Sequence, residues 1–340
     1  MQIRRLDARQ LAAFVGLATA LFPGPAFAFD CAKARTADEK AICASPDARA
    51  ADDAMTKAFE ALRATASPAQ RAAILEAQVR WIGARGQACA DEGGARSTGA
   101  KLSACLADSS NARAKFLQAA PEAGPGASTP MAPFFAIVKG RKGRADVDFE
   151  LVKFTAEPSG AERAFNAAVA KLSEEIVQPD VGDPSADNYA FEDLMRVTYA
   201  SPKLVSVMVN SYQNSGGAHP NSYIAHINVD LSAGKALAFA DLVDAKAEKA
   251  IDARCADEVR KRRKEKMAGE DGGGDDPFDA DLAKNVAQST NDLGAWGFGA
   301  DKATVDYNPY NVGSYAEGYY DCVLPYAFLR PLVKPGFPLP

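Results

Sequence analysis

His219 and His226 are the only imidazoles in the 340-residue chain, so acid–base chemistry near neutral pH has few starting points. A site centred on His219 would need Asp or Ser beside it, as in a small hydrolase. The chain has neither a GxSxG nucleophile elbow nor an HExxH zinc motif. Its six cysteines are Cys31, Cys43, Cys89, Cys105, Cys255 and Cys322. Gaps of 11 residues between Cys31 and Cys43 and 15 between Cys89 and Cys105 lack zinc-ligand spacing, so disulfides are expected instead. The acidic loop Asp271–Asp281 departs from the EF-hand calcium pattern and reads as solvated. The run Lys261-Arg-Arg-Lys264 reads as the solvated face of a helix. No catalytic residue, cofactor or metal site is assigned, and the protein is expected not to be an enzyme.

Recognition chemistry is better represented. From Ser211 to Tyr223 the chain carries Tyr212, Asn214, Ser215, Gly216, Gly217, His219, Pro220, Asn221 and Tyr223. Two glycines free the backbone and Pro220 fixes the turn. Tyrosine rings supply contact area at low entropic cost, while Ser and Asn supply hydrogen bonds. The same stretch also reads as a plain hairpin loop with an incidental histidine. A second aromatic cluster, Tyr307 to Tyr320, places Tyr310 and Tyr315 among Gly, Asn and Pro. It either lines a groove or packs a sheet edge. His226 falls inside a strand candidate and reads as structural.

These residues must be positioned by an exported protein. Arg4, Arg5 and Arg9 precede a 12-residue apolar run, Leu11–Phe22, and Ala26-Phe27-Ala28 is a small-residue cleavage site. Cleavage after Ala28 is expected, giving a periplasmic or secreted chain that begins at Phe29. The run is shorter than the roughly 20 residues a membrane span needs, and no later segment qualifies. An oxidising compartment suits the cysteines. The net charge of −5 becomes −7 once those three arginines and Asp7 are removed. Acidity of that kind argues against nucleic acid and is compatible with a cationic partner.

The first unit reads as helical. Met55, Phe59 and Leu62 form one stripe on a helix over Asp47–Thr65. Ser67-Pro68 then caps a second helix on which Ile74, Leu75, Gln78, Trp81, Ile82, Arg85 and Cys89 share an arc of about 120°. A third helix is expected over Ala104–Leu117. Arg85 and Gln78 inside an apolar stripe need partners. Asp52 on the facing helix is expected to pair with Arg85 at the hairpin core, fixing its register. Asp52, Gln78, Trp81 and Arg85 are thus structural. Four cysteines allow three pairings here, and all three remain open. Cys255 and Cys322 are left for each other.

Residues 120–133, rich in Pro, Gly and Ser, read as a linker. Beyond it strands are expected at 134–138, 147–154, 194–199, 203–212 and 223–231, and again near 296, 304–307 and 322–326. Helices are expected at 162–177 and 248–267. The fold class is therefore α+β in two domains. A disulfide-stapled helical hairpin (29–119) precedes a domain with a mainly antiparallel sheet (134–340).

The first unit resembles the LprI-type lysozyme-inhibitor domain. The likeness rests on Phe29-Asp30-Cys31, Glu39-Lys-Ala-Ile-Cys43, Ser45-Pro46, Asp52, Met55, Phe59 and Gln78-x-x-Trp81-x-x-x-Arg85-x-x-x-Cys89. Phe59, Ala48 and Gly86 stand where that family usually has tyrosine, leucine and often an acidic residue. The second unit is similar to the extracellular domain of RsiV-type anti-sigma factors, a domain also found beside peptidoglycan deacetylases. Its carriers are Tyr212-x-x-x-Gly216-Gly217-Ala-His219-Pro220, Asp230-Leu231-x-x-Gly234-Lys235, Asn308-Pro-Tyr310, Tyr315-Ala-x-Gly318 and Pro325-Tyr326. Together the two likenesses imply a lysozyme-binding protein that inhibits the enzyme and protects peptidoglycan. Tyr212–Tyr223, Tyr310 and Tyr315 would form the contact. The alternative they imply is a non-catalytic module that binds peptidoglycan itself.

Overall fold

The computed structural model describes residues 30–90, 94–174, 189–267 and 277–340. The expected signal peptide with its cleavage site, the helix end at Ile176–Val177 and residues 271–276 of the acidic loop lie outside the described residues.

Four helices open the fold: α1 (Ala37–Ala44), α2 (Pro46–Thr65), α3 (Pro68–Arg85) and α4 (Gly99–Leu117). Their starts are encoded locally. Thr36 with Glu39, and Ser67 with Gln70, make reciprocal capping boxes, and Pro46 and Pro68 occupy first-turn positions. α4 begins five residues before the expected Ala104. Its polar first turn docks on α1, where the Ser103 hydroxyl donates to the Ala41 carbonyl at 2.8 Å. Of the three possible pairings, the disulfides are Cys31–Cys43 and Cys89–Cys105. Each closes a short loop and is worth about 3 kcal/mol by restricting the unfolded chain.

The sheet has six strands in chain order: β1 (Met131–Val138), β2 (Asp146–Phe154), β3 (Ala190–Ala200), β4 (Leu204–Asn214), β5 (Asn221–Asp230) and β6 (Lys235–Ala236). Only β2 and β3 run parallel, joined by a crossover through α5 (Gly160–Glu174). β3 starts four residues earlier than expected and β1 three. Because β2 pairs only with Ala190–Leu194, the far half of β3 is left without that neighbour. Residues 120–126, read as linker, run alongside it: the Glu122 amide donates to Val197 and that of Gly126 to Ala200. Gly124 permits the approach, since a Cβ there would lie 2.2 Å from the Ala200 carbonyl oxygen.

Beyond the sheet come the short α6 (Phe239–Leu242), α7 (Ala245–Met267) and α8 (Pro277–Thr290), then β7 (Trp296–Phe298), β8 (Lys302–Tyr307), β9 (Tyr320–Pro325) and α9 (Tyr326–Leu329). The last three strands form a separate antiparallel sheet. The expected Cys255–Cys322 bridge ties α7 to β9. α8 was not anticipated. It buries Leu282 and Val286 one turn apart, a signal hidden behind the acidic, glycine-rich run.

Register decides what each face of the large sheet carries. Ile137, Asp148, Glu192, Tyr212 and Ser222 are successive cross-strand partners and therefore share one face. On that face the helical domain covers β1–β3, through Phe116 against Phe135 and Arg80 on Asp146. The small sheet covers β4–β5, where the Phe298 amide donates to Ser206 Oγ and Asn228 reaches the Trp296 carbonyl. The opposite face carries α5, whose Leu172 lines a pocket with Phe149, Phe191 and Tyr223. One core cluster runs from Met55 and Phe116 through Leu151 and Val207 to Phe165. The helical unit and the sheet are thus packed together rather than strung apart.

Candidate interaction surface

The hairpin joining β4 to β5 projects Ser215 to His219 and Asn221 into solvent. Asn214 Oδ1 accepts from the Gly216 amide at 3.1 Å, closing the turn, and Gly216 has φ of 77°. His219 Nδ1 lies 2.9 Å from the Pro220 carbonyl, which can only accept, so Nδ1 carries the proton. The Tyr310 hydroxyl stands 3.4 Å from Nε2. The His219 ring stacks on Tyr315 with centroids 4.1 Å apart, and the Tyr315 hydroxyl donates to the same Pro220 carbonyl at 2.8 Å. Tyr310 and Tyr315 are 5.7 Å apart.

Tyr310 is 57% exposed and has φ of 72°, a conformation that costs a bulky residue about 1–3 kcal/mol. Its amide donates to the Gly313 carbonyl, which helps hold the turn. Asn308 clamps the two loops, accepting from the Ile224 amide at 2.7 Å and donating to the Ile224 carbonyl at 3.0 Å. Glu317 anchors the other end through the Ser314 amide, Tyr320 and Arg263. Burial would raise the Glu317 pKa, but the hydrogen bonds from Tyr320, Ser314 and Arg263 outweigh it and hold the group down at about 2. Lys266 closes the loop from outside, donating to the Glu317 and Tyr319 carbonyls. The result is a fixed aromatic tip built from two segments about 90 residues apart in sequence.

Not every residue expected at this surface lies on it. His219, Pro220, Tyr310 and Tyr315 are brought together. Tyr212 pairs with Ser222 on the face shared with the small sheet, whereas Tyr223 pairs with Ser211 and points to the α5 side. The two tyrosines that bracket the loop thus leave opposite faces of the sheet, although both border the pocket beside Phe191 and Leu172. His226 is sealed beneath β7, with Nε2 2.7 Å from Asp306 and its ring where a Gly297 Cβ would stand. Its side chain is 0% exposed, so this His–Asp pair cannot meet a substrate.

The helical unit carries a buried polar chain. Arg85 pairs with Asp52 at 3.0 Å, as its place in the apolar stripe demanded, and its guanidinium lies over Trp81. Gln78 donates to Met55 Sδ and accepts from Arg113 Nε at 3.0 Å. Arg113 continues across the boundary to Glu150 on β2. Nearby, Arg80 binds Asp146 at 2.7 Å and lies 3.7 Å from Asp148. Burial pushes the Glu150 pKa up to about 7 despite the opposing Arg113, and raises those of Asp148 and Glu192 as well. Arg113 and Glu150 were missed in the sequence, although Asp146, Asp148 and Glu150 alternating with Val147, Phe149 and Leu151 mark an acidic face on a buried strand.

The first unit is a capped helical hairpin stapled by two local disulfides, with Asp52, Gln78, Trp81 and Arg85 at its centre. Residues 31–117 match the family model of lysozyme inhibitor LprI. This LprI-like unit precedes a segment, residues 152–222, that matches the family model of deacetylase PdaC. Two solved structures align with much of the chain. A DUF3298 family protein from Pseudomonas aeruginosa PAO1 shares 20% identity, covering 61% of this chain and 95% of that one at a TM-score of 0.38. A member of the same family from Bacteroides fragilis NCTC 9343 shares 13% identity, covering 61% and 94% at a TM-score of 0.45. No curated protein matches the chain. Among the described residues no helix is long and apolar enough to cross a membrane. No group of three or more His, Cys, Asp or Glu able to hold a metal is found among them either.

Proposed function

We propose that this is an exported lysozyme-binding protein that inhibits the enzyme and so protects peptidoglycan. The LprI match of residues 31–117 carries the reading. Three disulfides without a free cysteine among the described residues fit an oxidising compartment reached after cleavage behind Ala28. The aromatic tip supplies what an enzyme cleft would receive: exposed Tyr310, the His219–Tyr315 stack, and hydrogen-bonding Asn214, Ser215 and Asn221. Gly216, Gly217 and Pro220 shape the turn. An acidic chain meeting a basic enzyme would gain mainly in encounter rate, while the rings would slow release.

A second reading, favoured by the PdaC match over 152–222, is a non-catalytic module that binds peptidoglycan. Titration calorimetry of the protein against c-, g- and i-type lysozymes, with wall lysis followed alongside, separates the two. Submicromolar binding with loss of lysis supports the inhibitor. Absence of heat with every lysozyme, together with retention on purified wall material, overturns it in favour of the second reading.

A further inference from the structure

The tight hairpin between β1 and β2 concentrates charge of the sign opposite to the chain as a whole. Lys139, Arg141, Lys142 and Arg144 fall within six residues of a protein whose net charge is −5, and all four are exposed. Arg141 and Arg144 exchange both backbone hydrogen bonds, at 3.1 and 2.8 Å, around Lys142 and Gly143, whose φ is 71°. The Gly140 amide donates to Asp146 Oδ1 at 2.7 Å, which fixes the base of the turn. Among the described residues none of the four cations makes an ion pair, although Arg80 nearby is fully engaged with Asp146 and Asp148. Arg141, Lys142 and Arg144 crowd at the turn and repel one another, whereas Lys139 borders the pocket that holds Asp146, Asp148 and Glu192; an external anion relieves the repulsion at the tip.

The tip is also amphiphilic. A notch of about 580 Å³ beside it is lined by Ile137 and Val138, which face opposite sides of β1, and by Lys139, Arg141 and Arg144. It continues into β1, an edge strand of eight uncharged residues including Phe134 and Phe135. Pairing of Val138 with Val147, Asp146 with Ala190 and Ala190 with Asn214 shows that this hairpin leaves the sheet at the same end as the His219 hairpin. About three strand spacings, some 14 Å, separate the two tips. That exceeds the Debye length of about 8 Å at physiological salt, so a basic partner on the aromatic tip is screened from the cations.

We propose that the β1–β2 hairpin docks the protein on an anionic phospholipid surface. Arg141, Arg144, Lys139 and Lys142 take the headgroup phosphates. Each cation at such a surface raises partition about fivefold, so the four together give roughly several hundred-fold over a neutral bilayer.

The test is co-sedimentation of the purified protein with vesicles of phosphatidylcholine alone or with one third phosphatidylglycerol, at low salt and at high salt. Binding to the anionic vesicles that high salt abolishes is expected. K139Q/R141Q/K142Q/R144Q should reduce it at least a hundredfold. A variant neutralised equally on α7 (K249Q/R260Q/K261Q/K264Q) should keep it within about threefold. Equal loss in both variants would show a diffuse charge effect and overturn the assignment. So would failure of the parent to bind anionic vesicles, as expected if acidic residues of its own chain satisfy the tip. Duplex DNA competing as strongly as the vesicles would overturn it too, in favour of an unselective polyanion site.

Discussion

Arg113 on α4 and Glu150 on β2 form an ion pair with both side chains buried, so the helical unit is joined to the sheet by charge as well as by apolar contact. Arg113 also holds Gln78, which makes it the hinge of the polar chain. Replacing it with methionine leaves a buried carboxyl without its cation and a glutamine without its donor. Loss of about 3–5 kcal/mol is expected for Arg113→Met at pH 8, read from urea unfolding. The double variant R113M/E150L should recover most of that, because no charge is then stranded. A double variant as unstable as the single one would mean that packing rather than charge dominates the junction.

Glu150 also gives the junction a pH dependence of definite sign. Burial raises its pKa from 4.5 to about 7 in the folded protein. Below pH 4.5 the group is protonated folded or unfolded, and its contribution is fully present. Between 4.5 and 7 only the folded state holds the proton, so stability falls as pH rises through that window. Glu150→Gln should flatten this part of the stability profile. An unchanged slope in E150Q would assign it to other groups.

Glu317 works in the other direction. Its pKa is held at about 2, below the ordinary 4.5, by the bonds that fix the Ser314–Glu317 turn. Its stabilisation is present above pH 4.5 and is lost as pH falls toward 2. Acid should therefore loosen the tyrosine loop before the disulfide-stapled helical unit. Near-ultraviolet circular dichroism of wild type against Glu317→Gln would show this as an acid transition that the variant lacks. The variant should already be less ordered in that loop at neutral pH.

Helix starts, the α+β class and the Asp52–Arg85 pair were legible because each depends on local spacing: a cap, an alternation, one cation in an apolar stripe. What the sequence hid depends on register. Tyr212 and Tyr223 look like two walls of one loop, but a strand reverses facing at every residue, and pairing 212 with 222 puts them on opposite faces. The stretch from 120 to 126 has linker composition, yet β2 leaves half of β3 open and the chain fills it. α8 is hidden because its buried positions Leu282, Val286 and Thr290 follow an acidic, glycine-rich run. Arg113 gave no warning either, since its partner Glu150 lies 37 residues away on a strand whose neighbours are not local.

That opposition of faces yields the sharpest prediction for the proposed contact. If lysozyme is bound through the aromatic tip, truncating Tyr310, the most exposed ring, should cost about 2 kcal/mol or more, roughly thirtyfold in affinity. His219→Ala should weaken binding less directly, because it removes the ring against which Tyr315 stacks. Tyr315→Phe keeps the ring but loses the bond to the Pro220 carbonyl, and an intermediate effect is expected. Tyr223→Ala, on the α5 side, should change affinity by no more than about threefold. Calorimetry on the four variants reads all of these at once. A Tyr223 effect as large as that of Tyr310 would move the contact to the other face of the sheet and leave the His219–Tyr315 stack as a structural clasp.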